Sequence, residues 1–513
     1  MKHLTTFGIA LMLLSACSDE GPPKAGTAAD TAKAAKMSAS APMSYQPFPD
    51  GFGYMTDIPA LQAATNTGDR GPIREHAWGL WAGMMQPDTS GRWPVWYTWP
   101  NTNAAFAVGP PRPEQDQTAK PLAEMGTAKT EPAKARSLLA VNKIHVPVDT
   151  PAPIYPLPPQ VRKAFPKVIC QNPEAPDDRW QDGICPTNTR FLFNGDILIP
   201  TESLSSEAFA DLRSPTRPLY EQSTLNKAHA AGLPMLPVTP DFIVTKHMYW
   251  PVKANGLSPL PVWTNDFPYS YTGYAGYEVW NKIVAVDPTG KQVGQTGTVS
   301  FLYGVLANGS TQKDPKPVPT KTVKAPIVGL DQFYSHRVTK DEWLNEFSEA
   351  DRAVINAASY WSYNEPFGPG DYLVTVASHI NTRELPSWTL QSAWWSDSPN
   401  KGPYAANRPD FPNAKGPWRH YLLTDSYAVP PNPDGNVDVA VNPYIEGVIH
   451  PIGTSCRNCH VRAGWPTGST PGTASYQNPD CPGLLTNLTP SSTCLKNITL
   501  TDYLWIIPDR AIK

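Results

Sequence analysis

The sequence predicts an α+β fold that is rich in strands and loops. Proline supplies 59 of the 513 residues, about twice its usual share, and proline breaks helix interiors. The 17 Trp, 21 Tyr and 15 Phe residues provide the apolar side chains that a folded core needs. Several segments in the middle of the chain are β-branched and aromatic, which is typical of strands.

The charges are nearly balanced, with 42 Lys and Arg residues against 45 Asp and Glu residues. A protein that binds nucleic acid needs a basic surface to neutralise phosphates. The composition therefore argues against a nucleic-acid partner.

The first 45 residues read as a targeting segment. Residues 1–16 begin with Lys2 and His3, continue with a short apolar run and predict a signal peptide. Leu14-Ser15-Ala16-Cys17 resembles a bacterial lipobox, which implies that Cys17 carries a lipid. Ser18 follows the lipobox cysteine, at the position where an inner-membrane retention signal has Asp. The serine therefore favours attachment to the outer membrane, with the protein facing the periplasm. Residues 17–45 predict a flexible tether with a reach of roughly 30 Å.

Residues 46–435 predict a β-rich globular region with scattered helices. Apolar side chains recur at helical spacing over Asp69–Gln86, so we expect a helix there. The aromatic run Arg92–Trp99 predicts a short strand or a packing wall. Arg190–Pro200 predicts two short strands around an Asn-Gly turn.

Strands are expected mainly in the second half of this region. The five predicted strands are Asp241–Trp250, Tyr277–Val286, Thr298–Leu306, Tyr372–Ile380 and Trp388–Trp395. Asp287–Gly290 predicts a turn, and Gln312–Pro326 a linker-like loop. A capping box at Thr339–Glu342 predicts a helix that runs to about Ser359.

One cysteine motif carries chemistry. Cys456-Arg457-Asn458-Cys459-His460 is a CxxCH sequence, the attachment signature of c-type haem. Two thiols about one helical turn apart bind the vinyl groups, and the following imidazole is the proximal iron ligand. We therefore expect one covalent haem c on Cys456 and Cys459, with His460 as axial ligand, in a haem-binding segment over residues 436–513.

Two other interpretations of this CxxC pair remain open. A zinc site needs two further ligands, which Cys481 and Cys494 could supply. A thioredoxin-like redox site needs a βαβ context, which the flanking sequence does not offer.

The remaining cysteines fall into two local pairs. An exported chain meets an oxidising compartment, so we expect disulfides Cys170–Cys185 and Cys481–Cys494, although four cysteines allow three connectivities.

The lipobox and the CxxCH motif together resemble the bacterial mono-haem cytochrome c family lipoproteins. A looser resemblance to uncharacterised single-haem proteins extends over about residues 371–465. The resemblance implies an exported, lipid-anchored haem protein and leaves the activity of the long N-terminal region open.

The sixth iron ligand is not evident, because no Met follows Cys459 and the last Met is Met248. The candidates are His379, in a strand-like run, Met248, and His450, ten residues before His460. His247 and Met248 should point to opposite faces of their strand, and His379 should share a face with Leu373, Thr375 and Ala377.

Several aromatic and basic side chains lie near the motif in sequence. As haem-pocket candidates we single out Trp388, Trp394, Trp395, Trp465 and Arg457, the last as a partner for a haem propionate.

These observations favour electron transfer in the periplasm, to a redox partner protein or a small-molecule oxidant. The alternatives are a peroxidase-like or oxygenase-like haem enzyme, and a protein that binds a gas or another ligand at an open iron. No stretch after the signal is long enough and apolar enough to span a membrane, so the lipid is the expected anchor.

Overall fold

The structure is a mixed α and β fold, as the sequence predicts. The computed structural model describes residues 45–91, 93–107, 157–171, 182–184, 190–192, 199–264, 277, 280, 282–301, 321–446, 453–466, 481, 483 and 485–512, with only the backbone of 170, 171 and 182. The strands are β1 (Ile169–Gln171), β2 (Asp182–Ile184), β3 (Ile199–Leu204), β4 (Ile243–Val252), β5 (Ser258–Val262), β6 (Lys282–Asp287), β7 (Thr296–Phe301), β8 (Lys321–Gly329), β9 (Ser335–Arg337), β10 (Tyr372–Thr382), β11 (Thr389–Trp395), β12 (Tyr421–Asp425), β13 (Gly464–Trp465) and β14 (Thr499–Leu500). The α-helices are α1 (Ile58–Thr67), α2 (Arg70–Met84), α3 (Thr102–Ala105), α4 (Pro159–Ala164), α5 (Ser206–Leu212), α6 (Gln222–Ala230), α7 (Glu349–Tyr363), α8 (Cys456–His460) and α9 (Ile506–Arg510).

The central element is an antiparallel sheet with the strand order β12-β11-β10-β4-β3, to which β9 adds beside β10. Directly paired residues project to the same side of an antiparallel sheet. Lys246, His379 and Ser392 are successive partners, and we call their side the front face. His247 and Ser378 are partners one residue along and lie on the back face. This register confirms that Met248 and His247 point to opposite faces.

A bulge in β10 changes which of its residues share a face. Thr375 pairs with Tyr249, whereas Ala377 pairs with Met248, so Val376 is the extra residue. Leu373 and Thr375 therefore lie on the back face and His379 on the front. The expectation that these residues share one face is wrong, because the inserted residue reverses the alternation.

Helix α2 covers the back face. It begins at Arg70, with Asp69 as its N-cap, which confirms the predicted helix. The Trp81 ring packs 4.7 Å from that of Tyr421 on β12, and the Arg74 guanidinium donates to the Asp425 carboxylate at 2.9 Å.

The C-terminal segment packs against one end of the front face. Its apolar residues form a buried cluster with side chains of β3, β4 and β11, including Leu204, Val244 and Leu390. Residues from the last 60 positions, such as Leu500 and Ile507, lie in the same cluster. The CxxCH helix is thereby fixed against the central sheet.

A second sheet has the order β5-β6-β8-β7. The turn predicted after β6 is present, since Asp287 accepts hydrogen bonds from the Thr289 amide and hydroxyl. The expected strand at 277–286 begins only at Lys282, and β8 pairs between β6 and β7. The predicted loop over 312–326 is wrong for residues 321–326, which form two thirds of β8, because antiparallel pairing with β7 overrides their Lys and Pro content.

Two other local predictions also need correction. Within the run predicted at Arg92–Trp99, a 3-10 turn at Val95–Thr98 replaces a strand, although Trp96 is buried as in a packing wall. The capping box is present, with Thr339 and Glu342 bonding reciprocally, but its turn ends at Glu346. Helix α7 starts again at Glu349 behind a second box made by Ser348 and Asp351.

Some predictions concern residues outside the described ranges. These are the signal peptide, Cys17 and the tether up to residue 44, the Asn194-Gly195 turn, Cys185 and His450. Arg190–Leu192 are described and form no strand, whereas β3 begins at Ile199. Among the described helices, none has the combined length and apolarity that crossing a bilayer requires.

Candidate functional site

The CxxCH sequence forms the short helix α8, and its two sides differ. Cys456, Cys459 and His460 are half-buried, whereas the intervening Arg457 and Asn458 are 5% and 0% exposed. The three residues that a haem requires therefore share the more accessible side of one helical turn.

The two inner residues fasten this helix to the protein. The Arg457 guanidinium donates to the Asn487 side-chain oxygen at 2.9 Å and to the Leu488 carbonyl at 3.0 Å. The Asn458 amide group donates to the Thr486 carbonyl at 2.5 Å. Because Arg457 is directed inward, it does not lie on the side that the cysteines and His460 share.

Both cysteines of the motif are free thiols. Burial raises the pKa of Cys456, and it raises the pKa of Cys459 to about 12. Thiols that act in redox exchange have a lowered pKa, because the thiolate is the reactive form. The environment of this pair therefore does not favour a thioredoxin-like site.

His460 is held in one orientation by a backbone carbonyl. Its Nδ1 lies 2.7 Å from the Tyr503 oxygen, and since a carbonyl only accepts, Nδ1 carries the proton. Nε2 is then the nitrogen with a lone pair. Burial, the largest cause, and the nearby His379 together hold the pKa of His460 at about 4, so the ring is neutral at pH 7. A neutral imidazole with its other nitrogen bonded to a carbonyl is a typical metal ligand.

A tight turn places that carbonyl. Asp502 and Tyr503 both have left-handed backbone angles, with φ values of 48° and 67°, which are unfavourable for residues with a Cβ. The buried Asp502 carboxylate accepts from Arg383 Nε at 2.9 Å, Trp388 Nε1 at 3.1 Å and the Val238 amide at 3.0 Å. These three bonds hold the turn against its strain.

His379 and Glu446 lie close together on the front face beside this helix. His379 Nε2 lies 2.8 Å from Glu446 Oε1, although the two atoms are not aligned as a hydrogen bond. Glu446 Oε2 accepts a hydrogen bond from the backbone N–H of Asn442 at 2.5 Å. The charges of His379, Glu446 and Lys246 all influence the pKa of His460, so the four groups belong to one electrostatic site.

Sequence reasoning identified only His379 and His460 of these four. No sequence pattern marked Glu446 or Lys246 as a functional residue, because single Glu and Lys residues are common in a chain with balanced charge. Lys246 could have been inferred from β4, where it shares a face with Val244 and Met248, had the pairing with His379 been known.

The tryptophan candidates divide between the faces. Trp388 packs in the same apolar cluster as Cys456, and Trp465 contacts that cluster while donating to Asn226 at 2.9 Å. Trp394 lies on the front face, with its ring 5.0 Å from Tyr404. Trp395 lies on the back face, stacked on Phe333 at 4.3 Å, so it is not on the His379 side of the sheet.

Met248, the other described ligand candidate, is fully buried. It pairs with Ala377, shares the front face with His379 and belongs to the large core cluster. The structure therefore encloses it in the core of the sheet.

The predicted disulfide Cys481–Cys494 is present, with the Cα atoms 5.1 Å apart. Bonded to each other, these cysteines are not zinc ligands for the CxxC pair. Within the described ranges, no group of three or more His, Cys, Asp or Glu side chains is arranged to hold a metal ion. Cys170 lies in β1, but its side chain and Cys185 are outside the description.

The residues present fit a c-type haem. Two free thiols and a neutral, oriented imidazole lie on the same side of one helical turn, and apolar residues of the front-face cluster lie beside them. No protein-family model matches the chain, and neither a curated protein nor a solved structure is detectably similar to it.

Proposed function

We propose that this protein is an exported, lipid-anchored c-type haem protein that transfers electrons in the periplasm. Cys456 and Cys459 hold the single haem covalently, and His460 is its proximal ligand. The observation that carries the proposal is the orientation of His460, whose Nδ1 is bonded to Tyr503 while the ring stays neutral. A haem bound here supplies one-electron chemistry at its iron.

The lipid anchor completes this proposal. The lipobox at Leu14–Cys17 attaches the chain to the outer membrane, and the tether separates the folded part from the lipid headgroups. A redox protein of the periplasm is then the expected partner.

His379 is our candidate for the sixth ligand. It lies on the front face, and its charge influences the pKa of His460. No Met follows Cys459, and Met248 is enclosed in the core. Two histidine ligands suit electron transfer, because the iron then changes oxidation state with little rearrangement.

A second function is favoured by the His379–Glu446 pair. A histidine 2.8 Å from a carboxylate is a suitable general acid or base for a small oxidant such as peroxide. In this alternative His379 stays paired with Glu446 and moves protons, and the distal side of the iron is open.

Absorption spectra decide between these functions. The chain from Ser18 onward is exported with a non-lipid signal, purified, and examined oxidised and reduced, with and without carbon monoxide. If two protein ligands hold the iron, carbon monoxide should leave the spectrum unchanged. In His379→Ala, carbon monoxide should then change the spectrum. The matched control is His229→Ala, on α6, which should change nothing.

The opposite pattern supports the enzyme. The wild-type spectrum then responds to carbon monoxide, and His379→Ala and Glu446→Gln slow the reaction with peroxide by about 10²-fold or more. A wild-type chain that carries no haem, when produced in cells that attach haem, contradicts both proposals.

A further inference from the structure

A second site lies on the back face of the central sheet, opposite the haem motif. It is a cavity of about 190 Å³. Tyr249, Leu373 and Thr375 line it, and all three project to the back face of the sheet. The predicted haem site does not use any of these residues.

The size and the walls of the cavity suit one flat ring. An apolar cavity of about 150 Å³ holds a benzene molecule, so this one has room for a six-membered ring and a small substituent. Tyr249 and Tyr334 line it, and Trp93, whose ring is stacked between Tyr97 and His336, adds its edge. Gly416 packs closely against Tyr334. A Cβ atom added at Gly416 would lie 2.6 Å from the tyrosine ring.

The lining includes one histidine and one lysine beside neutral hydroxyl groups. His336 is stacked on Trp93 at 3.6 Å, and its Nε2 lies 2.8 Å from the buried Glu342 carboxylate, which fixes the position of the imidazole. Lys415 lies at the exposed rim. No ion pair joins its amine to a carboxylate of the described residues, so its charge is available to an anion.

We propose that this cavity binds a monocyclic aromatic carboxylate. The ring lies against the aromatic walls, and the carboxylate meets the Lys415 amine at the rim. An ion pair combined with an apolar ring would select this class over neutral rings and over aliphatic acids.

Calorimetric titration of the purified haem-loaded chain with benzoate tests the proposal, with benzyl alcohol as the neutral probe. Lys415→Met should weaken benzoate binding about tenfold and leave benzyl alcohol binding unchanged. Thr375→Phe fills the cavity from its back-face lining and should abolish binding of both probes. Lys291→Met, at an exposed turn of the second sheet, is the matched charge control and should bind as the wild type does.

Three results overturn the proposal. One is a wild-type chain that binds neither probe at millimolar concentration. Another is binding that survives in Thr375→Phe, which would place the ligand elsewhere. The third is equal loss of benzoate binding in Lys415→Met and Lys291→Met, which would show only a general charge effect. Circular dichroism of each variant verifies its fold, and the haem spectrum remains independent of all three results.

Discussion

At the residue scale, the orientation of His460 depends on two residues that are far from it in sequence. Asp502 and Tyr503 adopt left-handed angles so that the Tyr503 carbonyl reaches His460 Nδ1. Asp502 holds this turn through bonds to Arg383, Trp388 and a backbone amide. The CxxCH motif identified the ligand, but the group that orients the ligand is a backbone atom and leaves no sequence signal.

Asp502→Ala should lower the free energy of unfolding by about 3 kcal/mol, because it leaves a largely buried Arg383 without its carboxylate partner. It should also alter the haem spectrum, since the turn at Tyr503 is released. Chemical denaturation and absorption spectra measure the two effects.

The matched control is Asp410→Ala, which removes an ion pair between exposed side chains of Asp410 and Arg419. Its effect on stability should be close to zero. Equal stability of the two variants would show that Asp502 does not hold the turn.

At the element scale, local patterns predicted where strands lie but not always which way their side chains point. The alternation over Tyr372–Ile380 correctly predicts β10. The extra residue Val376 preserves the strand composition yet reverses the faces after it, so His379 and Thr375 serve different sites. Only the pairing with β4 shows this.

The capping box before α7 shows a similar limit. Thr339 and Glu342 bond as predicted, but Phe347 turns inward to pack on Phe191 at 5.2 Å, and the first turn ends there. The capping box correctly predicted where a helical turn begins. The length of that turn was decided by a contact between distant segments of the chain.

Glu342 makes stability depend on pH in the acid range. Burial alone would raise its pKa, but the contacts with His336 and Thr339 outweigh burial and lower the pKa to about 2. The unfolded chain therefore binds more protons between about pH 4.5 and pH 2, and stability falls as the pH falls through this window. The loss should reach at most about 3 kcal/mol.

Comparison with Glu342→Gln isolates this effect. Urea denaturation at pH 5.5 and pH 3 should show a smaller fall in stability for the variant than for the wild type. The matched control Glu349→Gln, at the start of α7, should fall as the wild type does. Parallel pH profiles for Glu342→Gln and the wild type would contradict the assignment.

At the scale of the whole molecule, the central sheet separates two sites. The front face carries the CxxCH helix with His379 and Glu446, and the back face carries the aromatic cavity with His336 and Lys415. The last 60 residues complete the cluster beside β4 and β11, so the haem segment relies on strands that lie well before it in the chain.

The lipid anchor is a property of the whole chain that can be tested directly. Cys17→Ala should release the protein from the membrane fraction into the soluble periplasmic fraction, while the haem spectrum stays the same. The matched control Ser18→Ala should remain with the membrane. Immunoblots of the fractions make the measurement, and a Cys17→Ala chain that stays with the membrane would argue against lipidation.

The sequence alone predicted the α+β class, three of the six strands of the central sheet, a helix over Asp69–Gln86, the local disulfide Cys481–Cys494 and the CxxCH proposal. These depend on short-range features: periodicity, capping residues and cysteine spacing. Only the tertiary structure decided that His379 lies with Glu446 beside His460, that Arg457 points inward, and that Trp395 and the aromatic cavity lie on the back face. Those facts depend on strand register and on contacts between distant segments, which a local pattern does not encode.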